Sequence, residues 1–291
     1  MNRIALTIAM AVLLCSSMFA QTTYSFQDIN YPGDTFTQLL GINDNNVIAG
    51  YHGANINQGF TLVLPNNFTS ENYPNSVQTQ VTGINNAGET VGFYIDKSGN
   101  NHGFKDVSGA FTTVDFPGEP FNQLLGISNS GQLVGYFSTT ASGNSPDYPT
   151  FYEQSSAPTV SGALVINGGT TAQATGINNS GLISGFVVDS AGVNHGFLLT
   201  RQLCEILDYP QATGTMALGL NNKGSVVGTY TDQAGNSHGF VYNISSKSFT
   251  SVDDPNGIGT TIVNGINDHG VLVGFWGTSP NNTGFVATPQ Q

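Results

Sequence analysis

His102, His195 and His238 each precede Gly-Phe, and each follows an aspartate in the frame Asp-x-x-Gly-x-x-His: Asp96, Asp189 and Asp232. A second acidic or amide set precedes proline, in Asn30-Tyr31-Pro32, Asn72-Tyr73-Pro74, Asp115-Phe116-Pro117 and Asp208-Tyr209-Pro210. Carboxylates and imidazoles in one place are the raw material of cation binding and of acid–base chemistry. Aromatic rings beside carboxylates suit a polar ligand such as a sugar. A plainer reading competes for each residue type. Aspartate at the start of a turn caps its own backbone amides. The histidine position is filled by Gln58 and Thr283 in sister segments, an exchange that a metal ligand or a general base does not tolerate. The imidazoles therefore read first as hydrogen-bond partners of neighbouring loops, and the aromatics as either packing under their own loop or meeting a ligand.

The candidate ligand-binding set is Asp96, His102, Asp115, Tyr148, Asp189, His195, Asp208, Tyr209, Asp232 and His238. Tyr148 joins it because it lies in extra sequence between Ser138 and Val160, where an otherwise regular repeat is interrupted. Insertions of that kind are where specificity is commonly placed. No residue is assigned a catalytic or metal-ligating role, and no cofactor is expected. The chain has no His-Glu-x-x-His pair, no phosphate loop and no EF-hand loop. His52 and His269 fall outside the repeated slot. Cys204 sits in an apolar run, and Trp276, the one tryptophan, serves as core residue or sugar platform.

The elements that must position these residues are repeats. Gly-Ile-Asn-Asn-Ser-Gly at Gly176 has relatives starting at Gly41, Gly83, Gly126, Gly219 and Gly265. Each unit of about 44 residues carries four short apolar, β-branched or aromatic runs bounded by Gly, Asn, Asp or Pro. In Asn85-Asn86-Ala87-Gly88 the Asx residues favour a tight turn and the glycine takes positive φ; Asn46 replaces that glycine in the first unit. Four strands per unit and six units in tandem predict a six-bladed β-propeller. The last unit stops after its third strand, at Gly284-Phe285-Val286-Ala287, while the N-terminus opens with an orphan strand, Phe26 to Pro32. The expectation is that this N-terminal strand completes the last blade, closing the ring and removing the unpaired edge. Alternation of strands puts the Asp and His loops on one face and the Gly-Ile-Asn corners on the other.

The run Gly-Ile-Asn-Asn-x-Gly, then Val-Gly-Tyr or Val-Gly-Phe, then Asp-x-x-Gly-x-x-His-Gly-Phe resembles the bacterial extracellular repeats called the HAF family. The resemblance covers nearly the whole chain after residue 20 and is clearest in units two, four and five. Units one (Gln58-Gly59-Phe60), three and six (Thr283-Gly284-Phe285) depart from it. It implies an exported bacterial repeat protein and supplies no catalytic residues to carry over.

Composition sets further bounds. Residues 1–20, with Arg3, an apolar run from Ile4 to Leu14 and Ala20, read as a signal peptide, leaving 21–291 as one domain. The run is too short to span a bilayer. A net charge of −12 with 6 Lys and Arg argues against nucleic acid and anionic membrane surfaces. After cleavage Cys204 alone remains of 2 cysteines, so stability must come from a continuous core. The function these features favour is a secreted, non-enzymatic propeller that binds a glycan or an extracellular protein. The alternative is an extracellular hydrolase or lyase whose site gathers Asp and His of several loops at a central channel.

Overall fold

The computed structural model describes residues 22–143, 146–152, 159–160, 171–200 and 203–290. The expected signal peptide and, of the insertion, residues 144–145 and 153–158 lie outside the described residues. Among those described there are 24 strands and no helix. β1 (Tyr24–Ile29) precedes six units. They are β2 to β5 (Thr37–Ile42, Val47–His52, Gln58–Val63, Asn67–Ser70), then β6 to β9 (Gln78–Ile84, Thr90–Ile95, Asn101–Val107, Ala110–Thr113). Next come β10 to β13 (Phe121–Ile127, Leu133–Ser138, Asp147–Tyr152, Thr159–Val160) and β14 to β17 (Thr171–Ile177, Ile183–Val188, Asn194–Leu199, Cys204–Leu207). The last are β18 to β21 (Gly214–Leu220, Ser225–Thr231, Ser237–Asn243, Ser248–Val252) and β22 to β24 (Ile262–Ile266, Leu272–Thr278, Asn281–Pro289).

The sheets are small, antiparallel within each unit and arranged as in a propeller. As the chain ends suggested, β1 pairs antiparallel with β24, from Tyr24 opposite Pro289 to Ile29 opposite Gly284. The sheet count departs from expectation. Four sheets have four strands, whereas β6 to β13 form a single eight-stranded sheet. The merger rests on one parallel pairing, Phe121 of β10 with Asn101 of β8. Equivalent single bridges join Phe36 to Asn282 and Ser237 to Thr260 without fusing their sheets.

Glycine explains how closely the units approach. Each innermost strand has a bulge just before its Gly-Ile or Gly-Leu pair, between Leu39 and Gly41, for example, or Ala174 and Gly176. A Cβ built on Gly41 would lie 3.1 Å from the Cα of Gly83. The relation passes from Gly83 to Gly126, Gly176, Gly219 and Gly265, and returns from Gly265 to Gly41, always at 3.1–3.4 Å. Six glycines thus meet in a closed ring around the axis. A second layer lies one strand out. There a side chain on Gly92 would run into the carbonyl of Gln80 and the ring of Phe104. That space belongs to the core phenylalanines Phe60, Phe104, Phe197, Phe240 and Phe285, all fully buried. Each contributes about 1.5–3 kcal/mol over an exposed ring.

The corners close a second ring, of hydrogen bonds. The backbone N of Asp44 donates to the side-chain oxygen of Asn86, that of Asn86 to Asn129, and that of Asn129 to Asn179. The chain of bonds continues through Asn222 and Asp268 and returns from Asp268 N to Asp44 at 2.8 Å. Just inside, Asn43, Asn178, Asn221 and Asn267 each accept two of their own turn amides, and their side chains donate to the next unit's carbonyl.

Two glycine substitutions separate backbone conformation from lack of space. Gly88 has φ +80° and open space around it, so Gly88→Ala should cost about 1–2 kcal/mol for the left-handed backbone alone. Gly92→Ala has nowhere to put its methyl group and should cost about 4 kcal/mol or more, or prevent folding. Urea unfolding midpoints of the two variants check the difference.

Candidate functional site

The candidate residues lie where the turns after β7, β15 and β19 meet the links that leave β9, β17 and β21. Asp96 begins its turn as a cap, its Oδ1 accepting from the amides of Ser98 and Asn100, both at 2.8 Å. Asp189 and Asp232 repeat that geometry. The imidazole of each unit then spans two carboxylates. His102 Nδ1 is 2.6 Å from Asp115 and its Nε2 is 3.6 Å from Asp96. His195 lies 2.9 Å from Asp208 and 3.4 Å from Asp189. His238 lies 2.8 Å from Asp253 and 3.4 Å from Asp232. Three Asp–His–Asp clamps result, each tying a hairpin turn to the link that leaves its own unit.

Asp253 belongs to a clamp although the sequence did not single it out as a site residue; its place in Asp253-Asp254-Pro255 was the available signal. In the first unit Gln58 stands for histidine and Asn72 stands for aspartate, its side chain still accepting from Gly59 N at 2.9 Å, as Asp115 does from Gly103 N at 3.0 Å. The link survives without the charge.

Electrostatics follow the geometry. Burial lowers the pKa of His195 and His238, but the carboxylates on both sides outweigh it and the net shift is upward. The hydrogen bonds of Asn236, from side chain and backbone, hold Asp232 down at about 2, and Asn100 lowers Asp96 in the same way.

The aromatics before proline stack across the seam between units. Tyr73 lies on Tyr94 at 3.7 Å between centroids, Tyr209 on Tyr230 at 3.6 Å, and Tyr31 on His52 at 3.5 Å, all within 5° of parallel. Phe116 stacks on Phe137 at 4.3 Å, and Phe137 on Tyr148 at 5.0 Å, making a column of three rings. Contrary to the sequence reading, Tyr148 is not in an insertion but on β12, opposite Phe137 as His102 is opposite Tyr94, so it fills the histidine position of its unit. Trp276 is half-buried and donates from Nε1 to Asp28 at 3.0 Å.

The axis is chemically different. A cavity of about 220 Å³ lies there, lined from the six innermost strands by bulge residues such as Leu40, Leu125 and Leu218 alternating with Thr82, Thr175 and Asn264. Thr82 and Thr175 spend their hydroxyl protons on backbone carbonyls, including those of Leu124 and Ala217 in the next unit, and Asn264 donates to Leu39 O. Among the described residues no aspartate, glutamate or histidine lines this cavity. The clamps are closed within their own units, and the structure does not gather their histidines around the axial cavity. Gly235-Asn236-Ser237-His238-Gly239 spells a nucleophile-elbow pattern. It runs instead from a hairpin turn into β20, with no helix after it and Ser237 N bonded to Gly259 O at 2.9 Å. The strand-to-helix turn that exposes such a serine is missing.

One cluster escaped sequence reading. Glu71 occupies the position held by Ile29, Val114, Leu207 and Val252 in other units, each of whose carbonyls lies over the glycine of His-Gly-Phe or its equivalent. Its hydrogen-bond donor Thr90 stands where Ile48, Leu133, Ile183, Val226 and Leu272 stand, and Asp106, paired with Thr90, where Leu62 and Leu199 do. Three apolar positions in one seam have become polar together. Burial pushes Glu71 up to about 7, with Thr90 opposing and the Asp106 charge adding to the rise. Alignment of the repeats by strand register, rather than by motif, was the signal that would have found it.

Two pH profiles test these environments. The folded pKa of Glu71 is raised, so its stabilising contribution is complete below about 4.5 and is lost as pH climbs to about 7. Glu71→Leu, restoring the sister residue type, should therefore gain on the parent protein by up to about 3 kcal/mol between pH 4.5 and 8. The raised His195 acts in the same direction at higher pH. Its contribution is full below about 6.5 and fades as pH rises through the folded value. The stability lost in His195→Gln should accordingly be larger at pH 5.5 than at pH 8.5, as read from thermal midpoints.

The chain matches no protein-family model and no curated protein sequence. It does resemble solved structures along almost its whole length. A putative TolB from Agrobacterium tumefaciens aligns with TM-score 0.63 at 10% identity, over 93% of this chain and 99% of that one. SapL1 lectin, solved in complex with alpha methyl fucoside, aligns with TM-score 0.57 at 10% identity, over 88% and 96%. The Aleuria aurantia lectin, solved as a point mutant in complex with Fucalpha1-6GlcNAc, aligns with TM-score 0.56 at 9% identity, over 89% and 96%. At such identities the likeness is one of fold: an all-β, propeller-like chain.

Proposed function

We propose that this protein is an exported, non-enzymatic β-propeller of six blades, of the HAF-repeat kind and bacterial, that binds a glycan through its Asp- and His-bearing face. An extracellular protein is the other occupant that the same face would take. The observation that carries the reading is the hydrogen-bonded and stacked geometry of that face. Clamped carboxylates and stacked rings are held ready in fixed geometry, and among the described residues the axial cavity has no titratable side chain in its lining. Preorganised polar groups beside aromatic rings favour affinity, because little freedom is lost on binding. The count of six blades is supported by the six-membered glycine and hydrogen-bond rings, and by the single pairing that fuses the eight-stranded sheet. The lectin neighbours lend the glycan class, since their structures hold fucosides. A net charge of −12 speaks against nucleic acid, and no described helix is long and apolar enough to cross a membrane.

A glycan array that includes fucosylated, neutral and acidic structures tests the proposal. Binding is expected, and Tyr148→Ala and Asp208→Ala should each weaken it at least tenfold without lowering the thermal midpoint by more than a few degrees. Silence across the array from folded protein would refute it.

A further inference from the structure

The seam between the fifth and sixth units breaks the aromatic pattern in a directed way. In four other seams the residue before proline is aromatic and its backbone N donates to a Thr or Asn side chain: Tyr31 to Thr37, Tyr73 to Thr79, Phe116 to Asn122 and Tyr209 to Thr215. Asp254 makes the same bond to Thr261, at 3.1 Å, and so holds the place of the missing ring. Its carboxylate is fully buried at 0% exposure. Oδ1 accepts from Asn256 N at 2.8 Å, whereas among the described residues no N–H or hydroxyl donor reaches buried Oδ2.

Facing it is Asp28 on β1, the strand that joins the chain ends. Asp28 Oδ1 accepts from Trp276 Nε1 at 3.0 Å, and Oδ2 accepts from Asn256 Nδ2 at 3.1 Å. Asn256 therefore touches both carboxylates, one through its backbone and one through its side chain. Burial raises the pKa of Asp254, the Asn256 amide opposes this, and the Asp28 carboxylate raises it further, through its charge and through a carboxyl-to-carboxylate hydrogen bond. Two acids meet here with no base between them. The next clamp, His238 with Asp253, is satisfied within itself.

We propose that Asp254 Oδ2 and the Asp28 carboxylate form a calcium site that fastens β1 to the seam, with the Asn256 amide group orienting Asp28. An orphaned buried carboxylate oxygen opposite a second carboxylate supplies the charge that a divalent ion needs. All the donors are hard oxygens, and Asp28 lies at the surface, where water completes a shell of roughly six to eight ligands. Asp28 is already committed to Trp276 and Asn256, so the shell is irregular. Calcium accepts such a shell at about 2.3–2.6 Å, while magnesium demands a near-ideal octahedron and dehydrates reluctantly. Among the described residues no three His, Cys, Asp or Glu side chains are grouped to hold a metal. This shell is accordingly two carboxylates and water, a composition that suits calcium rather than zinc.

The test uses the folded full chain after chelator treatment, at pH 7.5, titrated with calcium chloride up to about 10 mM, above the roughly 1 mM affinities of weak extracellular calcium modules. Calorimetry should show saturable binding, the thermal midpoint should rise, and amide exchange should slow along the β1–β24 pairing. Asp254→Asn should bind at least tenfold more weakly, and Glu205→Gln, an exposed acid elsewhere, should bind as the parent does. If Asp254→Asn fails to fold, the surface variant Asp28→Asn replaces it with the same expectation. Absence of calcium heat and of a midpoint shift overturns the proposal, as does equal binding by Asp254→Asn. Stabilisation by acid in chelator, with none from calcium, also overturns it and identifies a shared proton in the cation's place.

Discussion

The contact on which the rest of the molecule depends is backbone against backbone at the axis. Six glycines stand within 3.4 Å of where a neighbour's Cβ would be, and the circle returns to its start. Units cannot come that close with any side chain in between. Once they do, the second glycine layer admits the phenylalanines, and the phenylalanines fill the wedge that opens outward between adjacent sheets. Packing density in a core of this kind is fixed at the centre and propagates to the rim. The bulge before each axial glycine follows from the same crowding. It aims one residue per unit into the channel, where leucines alternate with smaller polar residues.

Much of this architecture was legible in the chain because repetition multiplies weak signals. One Asn-Asn-Ala-Gly is a plausible turn; six in register imply a hairpin corner with a defined hand of backbone. The positive φ of Asn46, +57°, shows why asparagine stands in for glycine in the first unit. The offset of the chain ends was readable for a similar reason, since an orphan strand at one end and a missing strand at the other have one economical solution. The fusion of two sheets was not readable. It turns on a single pairing at Phe121, and no residue type announces a hydrogen bond that shifts by a fraction of an ångström.

Within the candidate site, sequence reading found the participants but not their engagements. Asp96, Asp189 and Asp232 cap their turns as their position implied, yet the same carboxylates reach the imidazoles as well. Tyr209 and Tyr73 lie flat on tyrosines of the next unit, pairs separated by about 21 residues in the chain and invisible to motif inspection. Glu71, Thr90 and Asp106 were missed because each is unremarkable alone. They become informative when strand register shows that their counterparts are aliphatic or, at the Asp106 position, aliphatic or tyrosine. Asp254 teaches the same lesson, being one acid among 18 Asp and Glu until it is seen to sit in a tyrosine's place.

The corner ring has a consequence for the medium in which this protein can work. Its six links run from amide N–H to side-chain carbonyl or carboxylate in one rotational sense, and the inner side-chain amides follow the same sense except at Ser128, which has no amide to give. Cohesion is thus carried by dipoles and close packing, while lysine-to-acid pairs such as Lys105–Glu89 and Lys247–Glu205 are sparse and peripheral. Dissolved ions screen monopoles over about 10 Å at 0.1 M but leave short dipolar contacts nearly untouched. The glycine contacts and the corner ring therefore answer little to ionic strength, whereas the Asp–His–Asp clamps and the repulsion within a net charge of −12 are the parts of the molecule that dissolved salt can reach.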